Sequence, residues 1–232
     1  MPVFSIKYQD ILALIEAFDP VAYANSRNYS DGAVSRLSPY ISRGVISTRL
    51  VYERLLKRGI KFYQMEKFVQ ELAWRDFWQR QWQHHGVGIN QDLKRPQEHV
   101  RFYGLPRAIQ EADTGIDVID KAIEELYQTG YMHNHLRMYL ASIVCNVGQY
   151  HWRIPAQWMF AHLLDGDWAS NALSWQWVAG ANAKKKYWAN QENINHFCHA
   201  NQGPTFLDFS YEDLPQQDVP DVLKDRVSKP LL

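Results

Sequence analysis

The chain has 232 residues, 46% of them apolar, which is enough to bury one sizeable core, and it reads as a single domain over residues 1–232. Its 25 Lys and Arg balance 25 Asp and Glu, so a nucleic-acid partner would have to be held by a local basic face rather than by a general positive field. Two cysteines, Cys145 and Cys198, exclude a disulfide framework and a four-thiolate cluster from this chain alone, while the short apolar run Met138 to Val147 and a first segment without signal-peptide pattern predict no membrane partner and a cytoplasmic location.

Apolar residues recur with helical period and hairpin turns are missing, so the expected fold class is all-α. A first helix spans Ile6 to Phe18 and is closed by Pro20, and Asn25 to Gly32 is polar enough for a loop. Ser38 reads as an N-cap with Pro39 as first helical residue, Gly44 ends that helix, and Ser47 opens the next. Glu66 to His85 forms a long helix with Trp74, Trp78 and Trp82 four apart on a wide aromatic face. Gly86 to Phe102 is a loop. Helices follow over Ile116 to Gln128, stopped by Gly130, and over Asn134 to Val147. Pro155 opens a helix from Ala156 to Leu164, and Ala169 to Val178 carries Trp175 and Trp177. From residue 181 to residue 232 the chain is polar, then Pro-rich and acidic, and is read as a divergent tail.

Four segments combine polar groups with the means to bury them. Ser35-Arg36-Leu37-Ser38 places hydroxyls and amides before a helix start, which suits an anion as well as a plain helix cap. In Glu71-Leu72-Ala73-Trp74-Arg75, a carboxylate and a guanidinium four apart would pair on a solvated face, or line a cavity with the indole between them. Arg137, within Met132-His133-Asn134-His135-Leu136-Arg137-Met138, faces inward and needs a carboxylate, for which Asp165 or Asp167 is the candidate. Asn171 and Trp175, one helical turn apart, project an amide and an indole into the same space.

In this order the four segments resemble the FAD-binding domain of photolyases and cryptochromes, from about residue 35 to residue 180. The resemblance implies the helical FAD-binding fold, with Ser35, Leu37 and Ser38 on the cofactor phosphates, Arg75 and Asn134 lining its cavity, Arg137 and Asp165 bridged beneath the flavin ring, Asp167 on a sugar or ribityl hydroxyl, and Asn171 at flavin N5. It makes Trp175 the flavin-proximal electron donor and Trp152 the middle one. Glu71, Trp74, Asn134, Met138 and Trp177 then fall on the side of the substrate, DNA containing pyrimidine dimers. The implied activity is that of a photolyase, a lyase driven by blue light in which excited reduced flavin lends an electron to the dimer. Single-stranded DNA would be the easier substrate, because a dimer must leave the stack to reach the flavin.

Val34 stands where the family carries a hydroxyl, which removes one donor to the cofactor phosphates. His135 stands where photolyases carry an arginine for the lesion phosphate, and Phe102 at the surface electron donor, with Tyr103 beside it as substitute; these two and the altered C-terminal segment favour an alternative, a cryptochrome-like light or redox sensor that binds FAD without repair. Lys184, Lys185 and Lys186 begin the divergent tail and could follow a phosphate backbone or simply be solvated. No antenna chromophore is expected, since the α/β domain that would hold one is absent from the chain. His196, Cys198 and His199 are read as loop residues, and no metal is expected.

Overall fold

The computed structural model describes residues 4–231. Helix α1 (Tyr8–Ala17) buries Ile11 and Ile15 on one face. Pro20 does more than stop it: Pro20 is the first residue of α2 (Pro20–Ser26), where its missing N–H costs nothing, and the Asp19 carboxylate caps that helix by accepting from the amides of Val21 (2.8 Å) and Ala22 (3.1 Å). The expected loop from residue 25 therefore begins inside a helix. In α3 (Ser38–Ser42) Leu37 holds the cap position and Ser38 is the first helical residue, a shift of one from the capping pattern. Ser47 does cap α4 (Thr48–Lys57), accepting from the Leu50 amide at 3.0 Å.

The long helix α5 (Phe62–His85) begins four residues before Glu66, because the Gln64 side chain accepts from the Lys61 amide at 3.0 Å and closes the first turn. Its first half buries Met65, Phe68 and Leu72. After a 3₁₀ turn over Gly86–Asn90 come a two-residue strand, β1 (Leu105–Pro106), and α6 (Arg107–Glu111). Helix α7 (Asp117–Thr129) ends at Gly130, whose φ of +71° suits glycine. Helix α8 (Asn134–Ser142) widens into a π turn at Ile143–Val147; α9 (Arg153–His162) holds Pro155 in its first turn, and α10 (Trp168–Val178) follows the Asp165-Gly166-Asp167 turn.

Two apolar clusters form the core. One joins α1, α3, α4 and the first half of α5, and the other joins α7 to α10 with the chain beyond. Helix α5 lies between them, packed against α2 on one side and α10 on the other. The segment from residue 181 is not an appendage. It forms a further helix, α11 (Gln191–Cys198), and a strand, β2 (Arg226–Val227), antiparallel to β1. It also places Leu207, Leu214, Val219 and Leu223 in the larger core. No helix among the described residues is long and apolar enough to cross a membrane.

Candidate functional site

Where the two halves meet, a cavity of about 670 Å³ opens between α5, α8 and α10, within the range of small-molecule and cofactor sites. Its deepest polar feature is built on the Asp165-Gly166-Asp167 turn. A Cβ on Gly166 would stand 2.9 Å from the Phe160 carbonyl oxygen and 3.0 Å from that of Leu163, so only glycine lets the turn fold this tightly onto the end of α9. The tight turn sends its two carboxylates to different partners.

Asp165 takes Arg137: one guanidinium nitrogen, Nη2, donates to both carboxylate oxygens at 3.0 and 2.9 Å. The arginine is fixed further by Nε donating to the Met132 carbonyl at 2.8 Å and by lying over the Tyr131 ring, 5.9 Å from its centroid. Burial alone would raise the Asp165 pKa, but Arg137, the Ser38 hydroxyl and Arg75 outweigh it and hold the carboxyl below its usual range. Asp167 takes Arg75 instead, at 3.3 Å, together with the Gln79 amide, the Ser170 hydroxyl at 2.6 Å and the Ala169 amide at 3.2 Å. Those four donors use the four acceptor positions of a carboxylate, so a ligand hydroxyl would have to share an oxygen with one of them.

The i,i+4 pairing of Glu71 with Arg75 is not formed. Glu71 reaches across to Arg27, the residue that caps the end of α2, Oε1 to Nη1 at 2.6 Å, and Arg75 is free for Asp167. Arg27 lines the cavity and was not flagged in the sequence; the Asp19-Pro20 start of α2 is the signal that would have placed it there. Ser35 and Ser38 line the cavity with Val34, which stands where the resemblance implies a hydroxyl. Arg36 adopts φ of +51° between them, and Leu37 turns into the core with no exposed surface, so Leu37 can offer a ligand its backbone amide but not its side chain.

Asn134, Met138, Asn171, Trp175 and Trp177 also face the cavity. The Asn171 amide nitrogen donates to the Ala156 carbonyl at 2.8 Å, which fixes the side chain and leaves its oxygen to accept from a ligand. Trp175 is 2% exposed, deep in the wall, whereas Trp74 (50%) and Trp177 (41%) stand at the rim. Trp74 stacks on Trp78, ring centroids 5.0 Å apart. The site thus grades from an ionic anchor inside to aromatic faces at its mouth.

Trp152 is not at the cavity. It is fully buried, and its indole N–H donates to Asp92 Oδ1 at 2.7 Å. Its ring lies 5.8 Å from that of His151, on which the exposed Tyr103 stacks at 5.5 Å and 20°. Phe102 instead packs on Tyr150. His135 has both ring nitrogens engaged, Nδ1 at 2.7 Å from the Asn28 carbonyl and Nε2 at 3.3 Å from the Tyr187 hydroxyl, and burial lowers its pKa. A neutral His135 donates to Asn28 and accepts from Tyr187, so it presents no fixed charge to a phosphate. His196 meets the Tyr29 hydroxyl, His199 meets Asp31, and burial pushes the Cys198 thiol up to about 11, with no convergence on a common point among the described residues.

These residues fit a flavin dinucleotide by chemistry as well as by volume: hydroxyls and amides for phosphates, a fixed acceptor beside a deep indole for the ring, and a buried arginine whose charge is already balanced. A family model of the FAD binding domain of DNA photolyase matches residues 68–206, more than half of the chain. The deoxyribodipyrimidine photo-lyase of Thermus thermophilus is 37% identical over 178 residues, 72% of this chain and 40% of that protein. That of Vibrio cholerae is 34% identical over 157 residues, 62% of this chain and 32% of that protein, so the match spans 32% to 40% of the length of these curated relatives. Among solved structures, the archaeal photolyase from Sulfolobus tokodaii, described with two FAD molecules, superimposes with a TM-score of 0.73 at 27% identity, over 84% of this chain and 45% of its own. A helical fold, a cavity with flavin chemistry and a family match over residues 68–206 lead to one conclusion: the chain belongs to the FAD-binding domain family of DNA photolyases, and FAD is its cofactor.

Proposed function

We propose that this chain carries out light-driven splitting of cyclobutane pyrimidine dimers in DNA, taking the dimer out of the strand and into the mouth of the FAD cavity. The observation that carries this reading is the pair of exposed indoles, Trp74 and Trp177, at the rim of a cavity whose wall is the Arg137–Asp165 pair. Exposed aromatic faces have a solvation cost that a sensor buried on its cofactor does not need, and they match two linked bases of one strand that must be stacked once extruded.

Reduced FAD held in this cavity would supply the chemistry, a one-electron loan to the dimer under blue light with no net redox change. The protein's share is positioning. Asn171, fixed through Ala156, would offer its Oδ1 as an acceptor to the flavin ring. At the mouth, Glu71 is tied to Arg27, so the guanidinium of Arg27 is the group able to donate to a carbonyl gaining charge. Trp175 and Trp152 serve to reload the flavin with electrons, and Tyr103, stacked on His151, is the exit to solvent in place of Phe102. With His135 neutral, strand affinity rests on stacking more than on phosphate pairing, which favours single-stranded DNA, where extrusion is cheap.

The test is illumination of the reduced protein with an oligothymidine carrying dimers, following the return of thymine absorbance. Recovery is expected; no recovery at full flavin occupancy would leave the protein a sensor. Trp74→Ala should weaken binding of the dimer oligonucleotide by about 1–3 kcal/mol, the value of one base–aromatic stack, with FAD content unchanged. Equal binding by the variant would remove the rim from the mechanism. Trp175→Phe should abolish light-driven reduction of the oxidised cofactor while chemically reduced protein still repairs.

A further inference from the structure

A second pocket, of about 440 Å³, lies past the end of α10, where Ala179 and Gly180 form part of its wall. Nothing in the proposed repair reaction uses it. Four fixed cations line it, Arg95, Lys184, Lys185 and Lys186, against one carboxylate, Glu98. Lys186 donates to the Glu98 carbonyl at 3.0 Å, and no ion pair engages Arg95, Lys184 or Lys185 among the described residues. Like charges gathered without counterions repel one another, and they persist where an anion relieves them.

Three further features separate this pocket from a merely solvated lysine loop. Asn146, 3% exposed, lines it, and its amide nitrogen is committed to two carbonyls, Val178 at 3.1 Å and Tyr187 at 2.7 Å. Those contacts fix which end of the amide is nitrogen, and they leave Oδ1 a buried acceptor with no partner. Two non-glycine residues with left-handed backbone also line the pocket, His99 at φ +58° and Gln149 at φ +57°, and such local strain gathers at ligand sites. Trp188 supplies a large half-buried ring.

We propose that this pocket binds a 5′-phosphorylated nucleoside, its base on Trp188, a base N–H turned to Asn146 Oδ1, and its phosphate held by Lys184, Lys185 and Arg95. A phosphate alone would leave Trp188 and Asn146 without a role, and an uncharged aromatic would leave the cations without one. The same chemistry occurs in a free nucleotide and in the phosphorylated end of a DNA or RNA strand.

Titration calorimetry on the full chain, saturated with FAD so that the central cavity is filled, tests this with AMP as the probe. One AMP per chain is expected, with adenosine and inorganic phosphate each at least about tenfold weaker, since either loses charge-assisted bonds or the stack. Lys184→Ala/Lys185→Ala, at exposed positions, should weaken AMP at least about tenfold, and Trp188→Ala should do the same, while both keep FAD. No heat with AMP, phosphate binding as tightly as AMP, or unchanged affinity in the lysine variant would each overturn the proposal. Retained FAD and dimer repair alongside such a failure would show that only this second site is wrong. Displacement of AMP by a 5′-phosphorylated hexathymidine, but not by its unphosphorylated form, would assign the site to a strand end; no displacement would assign it to the free nucleotide.

Discussion

Asp165→Asn is expected to empty the cavity of FAD and to lower unfolding stability by about 3 kcal/mol at neutral pH, the lower end of what breaking a buried ion pair costs. The amide can still accept from Arg137, but the guanidinium, one fifth exposed, then has no counterion at its side of the cavity. Arg137→Met is the harsher change, about 3–5 kcal/mol, because it strands the almost fully buried Asp165 carboxylate. The acid response gives a second readout. Since the folded-state pKa of Asp165 is depressed, its contribution is fully present above the ordinary aspartate value of 3.8 and is lost as pH falls through that value and below it. Urea unfolding followed against pH should therefore show a shallower acid decline in Asp165→Asn than in the parent. The double variant Arg137→Met/Asp165→Leu should recover most of the stability, because a well-packed apolar pair can replace a buried bridge, and still fail to hold FAD. Flavin retained by the double variant would show that the pair stabilises the fold and nothing more.

Deletion of residues 203–232 is expected to abolish folding. The segment puts Leu207, Leu214 and Leu223 into the main core at 2% exposure or less, with Val219 at 3%. Loss of a buried leucine costs about 2–5 kcal/mol, so three of them approach or exceed the whole stability of a domain, about 5–15 kcal/mol. The deletion also removes the strand partner of β1, the Leu207 carbonyl that accepts from the Gln191 amide, and the Leu223 carbonyl that accepts from the Tyr150 hydroxyl at 2.8 Å. Circular dichroism should show no cooperative melt, and the product should carry no FAD. A truncated protein that unfolds cooperatively and keeps its flavin would mean these contacts are dispensable.

The tail is also where the sequence was least legible, and the reason is physical. Its core leucines are isolated in an irregular, polar, Pro-rich chain, so no period announces them, and burial comes entirely from contacts distant in sequence. Local signals did carry much of the helical framework: the Ser47 cap, the Gly130 stop and the long aromatic helix all lie within a few residues of where they act. At one point capping chemistry carries two meanings: Pro20 reads as the stop of α1, while Asp19-Pro20 is the capped start of α2, and with α2 comes Arg27, the partner of Glu71. Residue chemistry by itself leaves Asp165 and Asp167 equivalent for Arg137; the resemblance names Asp165, and the tight turn at Gly166 supplies the physical reason, sending the first carboxylate to Arg137 and the second to Arg75. The resemblance likewise puts Leu37 on the cofactor phosphates, and its side chain turns into the core in the folded chain.

Absorption of the purified protein, with its flavin released and identified, bears most directly on the claim that this cavity is built for FAD. Near-stoichiometric FAD is expected, either copurified or taken up on incubation, and lost in Asp165→Asn. A correctly folded but colourless protein that takes up no FAD from excess would contradict it.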